Sequence, residues 1–426
     1  KIMGKVPFKQ VYLHAMVRDA HGRKMSKSLG NVIDPMMVIE GITLDGLQQT
    51  VTEGNLDPKE VKKAHAGQKQ DFPNGIPECG TDAMRFTLLA YTSQARDINL
   101  DIQRVVGYRM WCNKLWNAIK FAMMNLGEGF TPSGLGNAAA LPMPCRWVLS
   151  KLNAAVAGAN AGMEAYAFSD ATTSVYAFWK YSLCDVFIEL VKPVVAGGDE
   201  ATKKAFREVL YVCLETGLRL LHPIMPFVTE ELWQRLPRAA DAVSAVPSIM
   251  VADYPKEDAA LACPAAEEEM ELLQSVVKAA LSLRADYGLT KQKPKIFCVC
   301  KTAEAQGVVS RGALWAATLS TSEGCEAVME GGAVPAGCAI NPATDAVAVH
   351  MVLAGILDPE QEIGKLEKKA KEVQVSVENI NKKVAAPDYA TKVPAKVQEE
   401  NSKKLAALAS ELETIEKAIN DFKCLL

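Results

Sequence analysis

The stretch "DAHGRKMSKSLGNVIDP", residues 19–35, decides how the rest of the chain is read. It follows "QVYLHAMVRD", whose alternation of apolar and polar residues predicts a strand, and "DAHGR" supplies the turn after it. The loop then places Lys24 and Lys27 close together, with hydroxyls at Ser26 and Ser28. Two ammonium groups on flexible stems are movable point charges, and with the hydroxyls they suit a polyphosphate on which charge builds up. Gly22 and Gly30 at the margins permit the loop to open and close. Asp34 and Pro35 fit the N-cap and first-turn positions of a helix that anchors the loop's exit. For so short a motif, a solvated basic turn is the plain alternative.

Outward from this loop, the 426 residues divide by pattern into four regions, within the range of about two to four domains that this length suggests. Residues 1–104 mix strand-like runs with glycine- and proline-rich turns. Residues 105–250 carry helical periodicity. One stripe runs through Trp111, Leu115, Ile119, Ala122 and Leu126, stopped by Gly127 and Gly129. A second passes through Val175, Phe178, Trp179, Leu183, Phe187 and Leu190, and a third through Phe206, Leu210, Cys213, Gly217 and Leu221. After the breaker "HPIMPF", Thr229 with Glu230 and Glu231 is expected to open a further helix, and the set predicts an antiparallel bundle. Residues 251–355 read as a small α/β module, with a helix around "EEEMELLQSVVKAALSL", strands at "KIFCVCK" and "DAVAVHMVLAG", and a loop at "GGAVPAG". In residues 356–426, Ile363, Leu366, Ala370, Val373, Val377, Ile380 and Val384 alternate three and four apart. The pattern resumes after "APDYATKVPAK" at Leu405, Leu408, Leu412, Ile415, Ile419 and Phe422. Two such helices about a Pro-containing turn predict an antiparallel coiled-coil hairpin.

The net charge of −3 argues against a generally basic nucleic-acid binder but leaves room for a local basic surface. The eleven cysteines are dispersed, with neither a CxxC pair nor zinc-ligand spacing, so no structural metal is expected. Cys298 and Cys300 read as thiols packed from a strand, and the odd, scattered set suits a reducing, cytoplasmic setting. No run reaches the length of a membrane span, and no charged-then-apolar leader is present. The opening "KIMGKVPFKQVYLHAMV", without an initiator methionine, reads as the middle of a domain, which leads to the expectation of a piece of a longer protein.

"KMSKS" followed by "LGNVIDP" resembles the signature loop of class I aminoacyl-tRNA synthetases. "DFPNGIPECGTDAMRFTLLAYTSQARDINLD", then "GYRMWCNKLWNA", resembles the valyl branch more closely than the isoleucyl and leucyl branches, as does the heptad arm. The resemblance implies a mostly α, multidomain chain: the end of a Rossmann-like catalytic domain in 1–104, an anticodon-binding bundle in 105–250, a linking module in 251–355 and a tRNA-binding arm in 356–426. It implies ligation of valine to valine tRNA, with ATP and Mg2+ and valine as substrates, other translation factors as candidate partners, and no membrane. By match to the motif, Lys24, Met25, Ser26, Lys27 and Ser28 would bind ATP. Lys27 would be held against the leaving pyrophosphate and Lys24 would support it, catalysis being positioning plus electrostatic stabilisation.

On the first bundle helix, Asn113, Lys114 and Asn117 are the polar-face candidates for anticodon contact, and Trp111 and Trp116 are both expected in the core. On the arm, Lys368, Lys369, Lys382, Lys383, Lys403 and Lys404 are candidates for the tRNA backbone, a use that competes with a merely solvated arm. The family's His-x-Gly-His motif does not occur. The five histidines are His14, His21, His65, His222 and His350, of which His14 and His21 read as strand and turn residues. The chain by itself is therefore expected to be inactive. A tRNA-binding module without catalysis and an isoleucyl enzyme are the alternatives. A missing C-terminal cysteine cluster and the coiled-coil arm count against the second.

Overall fold

The computed structural model describes residues 3–54, 56–93, 97–238, 240–356 and 359–384, and beyond them 398, 401, 404–405, 408–409, 412, 415–416, 419–420 and 423. Contacts divide the chain into two compact units, Lys1–Glu267 and Glu268–Leu426.

In the first unit, β1 (Met16–Arg18) pairs in parallel with β2 (Asp97–Asn99), Val17 lying opposite Ile98. The strand is shorter than its alternation predicts. Residues 10–15 lie outside it, with Val11 and Leu13 69% and 88% exposed, because alternation makes a strand only where a neighbour supplies the ladder. Between these strands run α1 (Pro35–Ile39), α2 (Leu44–Thr52), α3 (Pro58–Asp71) and α4 (Thr81–Ala90). Asp34 caps α1 by accepting from the Met36 N–H at 2.8 Å, as Asp-Pro in the sequence predicts. Val38, Leu47, Ile76, Ala83, Ile98 and Leu100 share the core of this part.

The bundle begins with α5 (Ile102–Asn125), capped by Asp101, and its stripe Trp111, Leu115, Ile119, Ala122 and Leu126 is buried throughout. Trp116 departs from expectation. It lies about 140° round the helix from Trp111, is 41% exposed, and carries the Arg235 guanidinium 4.9 Å from its ring centroid. Next come α6 (Met143–Glu164) and α7 (Phe168–Ala177), then a π-helix over Phe178–Phe187, α8 (Ile188–Gly197) and α9 (Glu200–Leu221). The wider π turn keeps Phe178 and Leu183, five apart, on the buried face, and Phe187 stacks on Phe206 at 5.4 Å. Trp179 is fully buried and donates from Nε1 to the Gly217 carbonyl at 3.2 Å; a Cβ at Gly217 would stand 2.9 Å from its ring.

The helix after the breaker, α10 (Pro226–Gln234), opens at Pro226 rather than at Thr229. Its N-terminus is capped from α4. The buried Asp82 carboxylate accepts from the Val228 N–H at 2.6 Å and the Phe227 N–H at 3.3 Å. One turn along, Arg85 donates to the carbonyls of Ile224 and Pro223 at 2.9 and 3.0 Å. The two charges thus match the local polarity of a helix start and a helix exit. A short α11 (Ala240–Ala245) follows, and α12 (Pro264–Asp286) begins just before the boundary between the units.

In the second unit, β3 (Ile296–Cys300), α13 (Ala303–Arg311), α14 (Ala313–Ser320), β4 (Cys325–Met329), β5 (Cys338–Thr344) and β6 (Val347–Val352) build a sheet of order β4-β3-β6-β5. The β3–β4 pair is parallel, the two helices making the crossover, and β6 is antiparallel to both β3 and β5. Cys298 and Cys300 are buried in β3. α15 (Pro359–Val384) presents Val373 to Ile415 and Ile419, with Ile363, Ala370, Val377, Leu408 and Leu412 packed around them. Among the described residues, no helix is long and apolar enough to cross a membrane.

Candidate functional site

The loop after β1 is held by two side chains. Asp19, 7% exposed, accepts at Oδ1 from the N–H groups of Arg23 (2.8 Å) and His21 (3.1 Å), and at Oδ2 from Arg23 Nε (2.7 Å) and Asn31 Nδ2 (3.1 Å). This is an Asx turn extended into an ion pair. Burial by itself would raise the carboxyl's pKa. The Arg23 backbone N–H, the Asn31 amide and the Arg23 guanidinium outweigh it and hold the group below the usual carboxylate range, so Asp19 is charged at neutral pH.

Asn31 completes the frame from the other limb. Its Oδ1 accepts from the Ser26 N–H at 3.0 Å, and its Nδ2 also donates to the Lys24 carbonyl at 3.2 Å. Arg18 and Lys24 form an isolated antiparallel bridge, which continues the β1 edge into the loop. Between these fixed points Lys24 is exposed, Ser26 Oγ lies 2.9 Å from Ser28 Oγ, and Lys27–Leu29 make a single 3-10 turn. Met25 faces inward against the core of residues 38–105. The Lys27 side chain lies outside the described residues.

The two marginal glycines differ. Both have positive φ, +76° at Gly22 and +62° at Gly30. A Cβ at Gly22 would meet the Asn99 amide in ordinary contact at 3.5 Å, whereas one at Gly30 would stand 2.9 Å from both Ala64 Cβ and Leu56 Cδ2. Room for a Cβ is therefore lacking at the loop's exit and present at its entry. A cavity of about 330 Å³ opens behind the loop, lined in part by Asp19, Arg23, Asn31, Gln68 and Asp71. His21, in the turn as its sequence predicts, reaches Asp71 at 3.0 Å; His14 lies outside the strand.

What this arrangement offers is a backbone frame held by hydrogen bonds from Asp19 and Asn31, with an ammonium group and two hydroxyls displayed on it. Of the motif residues, Lys24, Ser26 and Ser28 lie on the outer side of the loop and Met25 packs inward. Asp19 and Asn31 escaped the sequence reading, although "D-x-x-G" at the turn is a signal for the first.

The other candidate residues occupy separate places. Asn113 and Asn117 are exposed on α5, and Lys114 gives its charge to Asp185 at 2.6 Å. Trp116 is exposed on the same helix with Arg235 over its ring, and Arg235, like Lys114, is ion-paired, in its case with Glu231. On the arm, Lys368 and Lys382 project from α15 and Lys404 is exposed. The side chains of Lys369 and Lys383, and Lys403 altogether, lie outside the described residues.

Three family descriptions match the chain in order. "tRNA synthetases class I (I, L, M and V)" matches residues 1–101, "Anticodon-binding domain of tRNA ligase" residues 145–299, and "Valyl tRNA synthetase tRNA binding arm" residues 358–423. Among curated relatives, the valine–tRNA ligases of Mus musculus and Homo sapiens are each 49% identical over 429 residues, covering 100% of this chain and 34% of the relative. The mitochondrial valine–tRNA ligase 1 of Arabidopsis thaliana is 47% identical over 424 residues, covering 98% of this chain and 38% of the relative. The chain thus spans about a third of the length of the curated relatives it matches.

Proposed function

We infer that this chain, which belongs to the valyl-tRNA synthetase family and matches its C-terminal portion, supplies the phosphate-handling loop and the tRNA-binding regions of a valine–tRNA ligase. The observation that carries this reading is the run of three family matches, in order, along a chain that aligns over its whole length with valine–tRNA ligases. The reaction is ATP, valine and tRNA going to valyl-tRNA, AMP and pyrophosphate, with Mg2+ entering as part of the nucleotide substrate.

In this reading Lys24, Ser26, Lys27 and Ser28 face the triphosphate, with Met25 anchoring the loop to the core, while the valine carboxylate attacks the α-phosphorus. Lys27 follows the pyrophosphate as its charge develops, and Lys24, exposed beside it, adds a second cation. Ser26 and Ser28 offer hydroxyls to phosphate oxygens. The His-x-Gly-His partner motif is not in this sequence, so the chain alone does not form the adenylate. The domain reading is 1–104 for the end of the catalytic domain, 105–250 for the anticodon bundle, 251–355 for the linking module and 356–426 for the arm.

The arm is read as an antiparallel coiled-coil hairpin, supported by the apolar contacts of Val373 and Val377 with Leu412, Ile415 and Ile419. Its lysines, Lys368, Lys382 and Lys404 among them, contact tRNA phosphates, and Asn113, Lys114 and Asn117 face the anticodon. A cytoplasmic location is the setting that the dispersed thiols favour. The test is binding of this 426-residue chain to valine tRNA and isoleucine tRNA at two salt concentrations. Preference for valine tRNA, weakening with salt, is the expected result. Equal affinity for the two tRNAs would overturn the assignment of recognition to this chain.

A further inference from the structure

The loop is held by two side chains that lie outside the 24–28 stretch itself. We propose that Asp19 and Asn31 are positioning residues for adenylate formation: through the Asp19–Asn31 hydrogen bond they brace the two limbs of the 24–28 loop and aim Lys24 and Lys27 at the triphosphate. This rests on the reading of the loop as phosphate-handling.

Asn31 is the link between limbs. Its one amide takes the Ser26 N–H, gives to the Lys24 carbonyl and gives to Asp19, so it fixes backbone on either side of Met25 from five to seven residues away. Asp19 anchors Asn31 in turn and is itself saturated, with four donors on two oxygens. A buried carboxylate so satisfied is rigid, because rotating it would leave several N–H groups unpaired. Both ends of the loop are held: Gly30 is packed against Ala64 and Leu56, and the turn at Gly22 is closed by the Asp19 carboxylate on the His21 and Arg23 N–H groups. Asn31 stands next to the packed Gly30 and reaches across to Lys24 and Ser26 on the other limb. Without it, the lysines stay on the loop but lose their direction, and misplacement by about 1 Å costs on the order of 100-fold in rate.

The test uses the full-length enzyme containing this chain, assayed by valine-dependent ATP–pyrophosphate exchange. Asn31→Ala is expected to lower kcat by on the order of 10- to 100-fold, with valine KM and tRNA affinity within about twofold of the parent. Hydrogen exchange at the Ser26 amide should quicken in the same variant. Asp19→Asn, which keeps the shape but removes the charge that Arg23 and Asn31 share, should follow the same pattern and stands in should Asn31→Ala fold poorly. Exchange at the parent rate in Asn31→Ala would overturn the proposal. So would a loss of kcat matched by equal losses in tRNA affinity and melting temperature, the mark of a merely structural role. Lys27→Ala separates the brace from the reading beneath it. If Lys27→Ala is inactive and Asn31→Ala is not impaired, the brace alone fails. If Lys27→Ala exchanges normally, the phosphate reading falls and the brace falls with it.

Discussion

Removing the Asp82 carboxylate tests how the part of the chain that carries the loop is fastened to the helical bundle. In the parent, Asp82 on α4 takes the Val228 N–H at 2.6 Å and the Phe227 N–H at 3.3 Å at the start of α10. Loss of a helix N-cap costs about 0.5–2 kcal/mol. A buried donor left unpaired costs about 1–3 kcal/mol. The two N–H groups do not pay equally, because Phe227 is 66% exposed and its amide can be rehydrated, whereas Val228 is half-buried. Asp82→Ala should therefore destabilise the Lys1–Glu267 unit by about 2 kcal/mol, roughly a 30-fold change in its folding equilibrium.

Asp82→Asn should cost less, because the single amide oxygen can take the place of Oδ2 and accept the shorter bond, and because burial disfavours the charge. Burial pushes the Asp82 carboxyl above the usual carboxylate range, against the pull of the Val228 and Phe227 N–H groups. Over the interval between its unfolded and raised folded values, the folded state holds the extra proton. Parent stability relative to Asp82→Asn must then fall as pH rises through that interval. Urea unfolding followed by tryptophan fluorescence, at several pH values, measures all three quantities. A cost below about 0.5 kcal/mol for Asp82→Ala would refute the tertiary cap. A parent-minus-Asn difference that grows with pH would refute the role given to burial.

Other substitutions probe the same structure. Gly75→Ala should destabilise by more than about 3 kcal/mol, since φ is +76° and the new Cβ would stand 2.2 Å from the Ile42 carbonyl; near-parent denaturant midpoints would rule out that close approach. Trp111→Ala should cost about 3–5 kcal/mol and Trp116→Ala about 1 kcal/mol, the worth of its contact with Arg235, and equal costs would return Trp116 to the core. Deleting residues 356–426 should weaken tRNA binding and flatten the dependence of log affinity on log salt, because fewer counterions are released; an unchanged slope would leave the arm as scaffold.

Several of these features could be read from residue order and several could not. The three bundle stripes were legible because each apolar residue in them is buried, so the helical period reports the core directly. The two strands read in the second unit, β3 and β6, are the central ones. Those that escaped, β4 and β5, are the edges: β4 is only half-buried, and Pro342 interrupts β5 beside a shift in register. Edge strands carry weaker apolar patterns because only one side of the ladder is occupied. Trp116 was misread because composition marks tryptophan as core, while its angular position on α5 puts it outside.

By itself the sequence determined the helical character of most of the chain, the heptad repeat of the arm and the family. Each depends on which residue types stand next to one another or recur at a fixed period. Only the tertiary structure decided which polar groups meet. Asp82 finds its partners about 145 residues away in the chain, and Asn31 finds Asp19 across the loop it braces. Periodicity records where apolar surface must be hidden, but it says nothing of which distant carboxylate or amide will satisfy an N–H once that surface has closed.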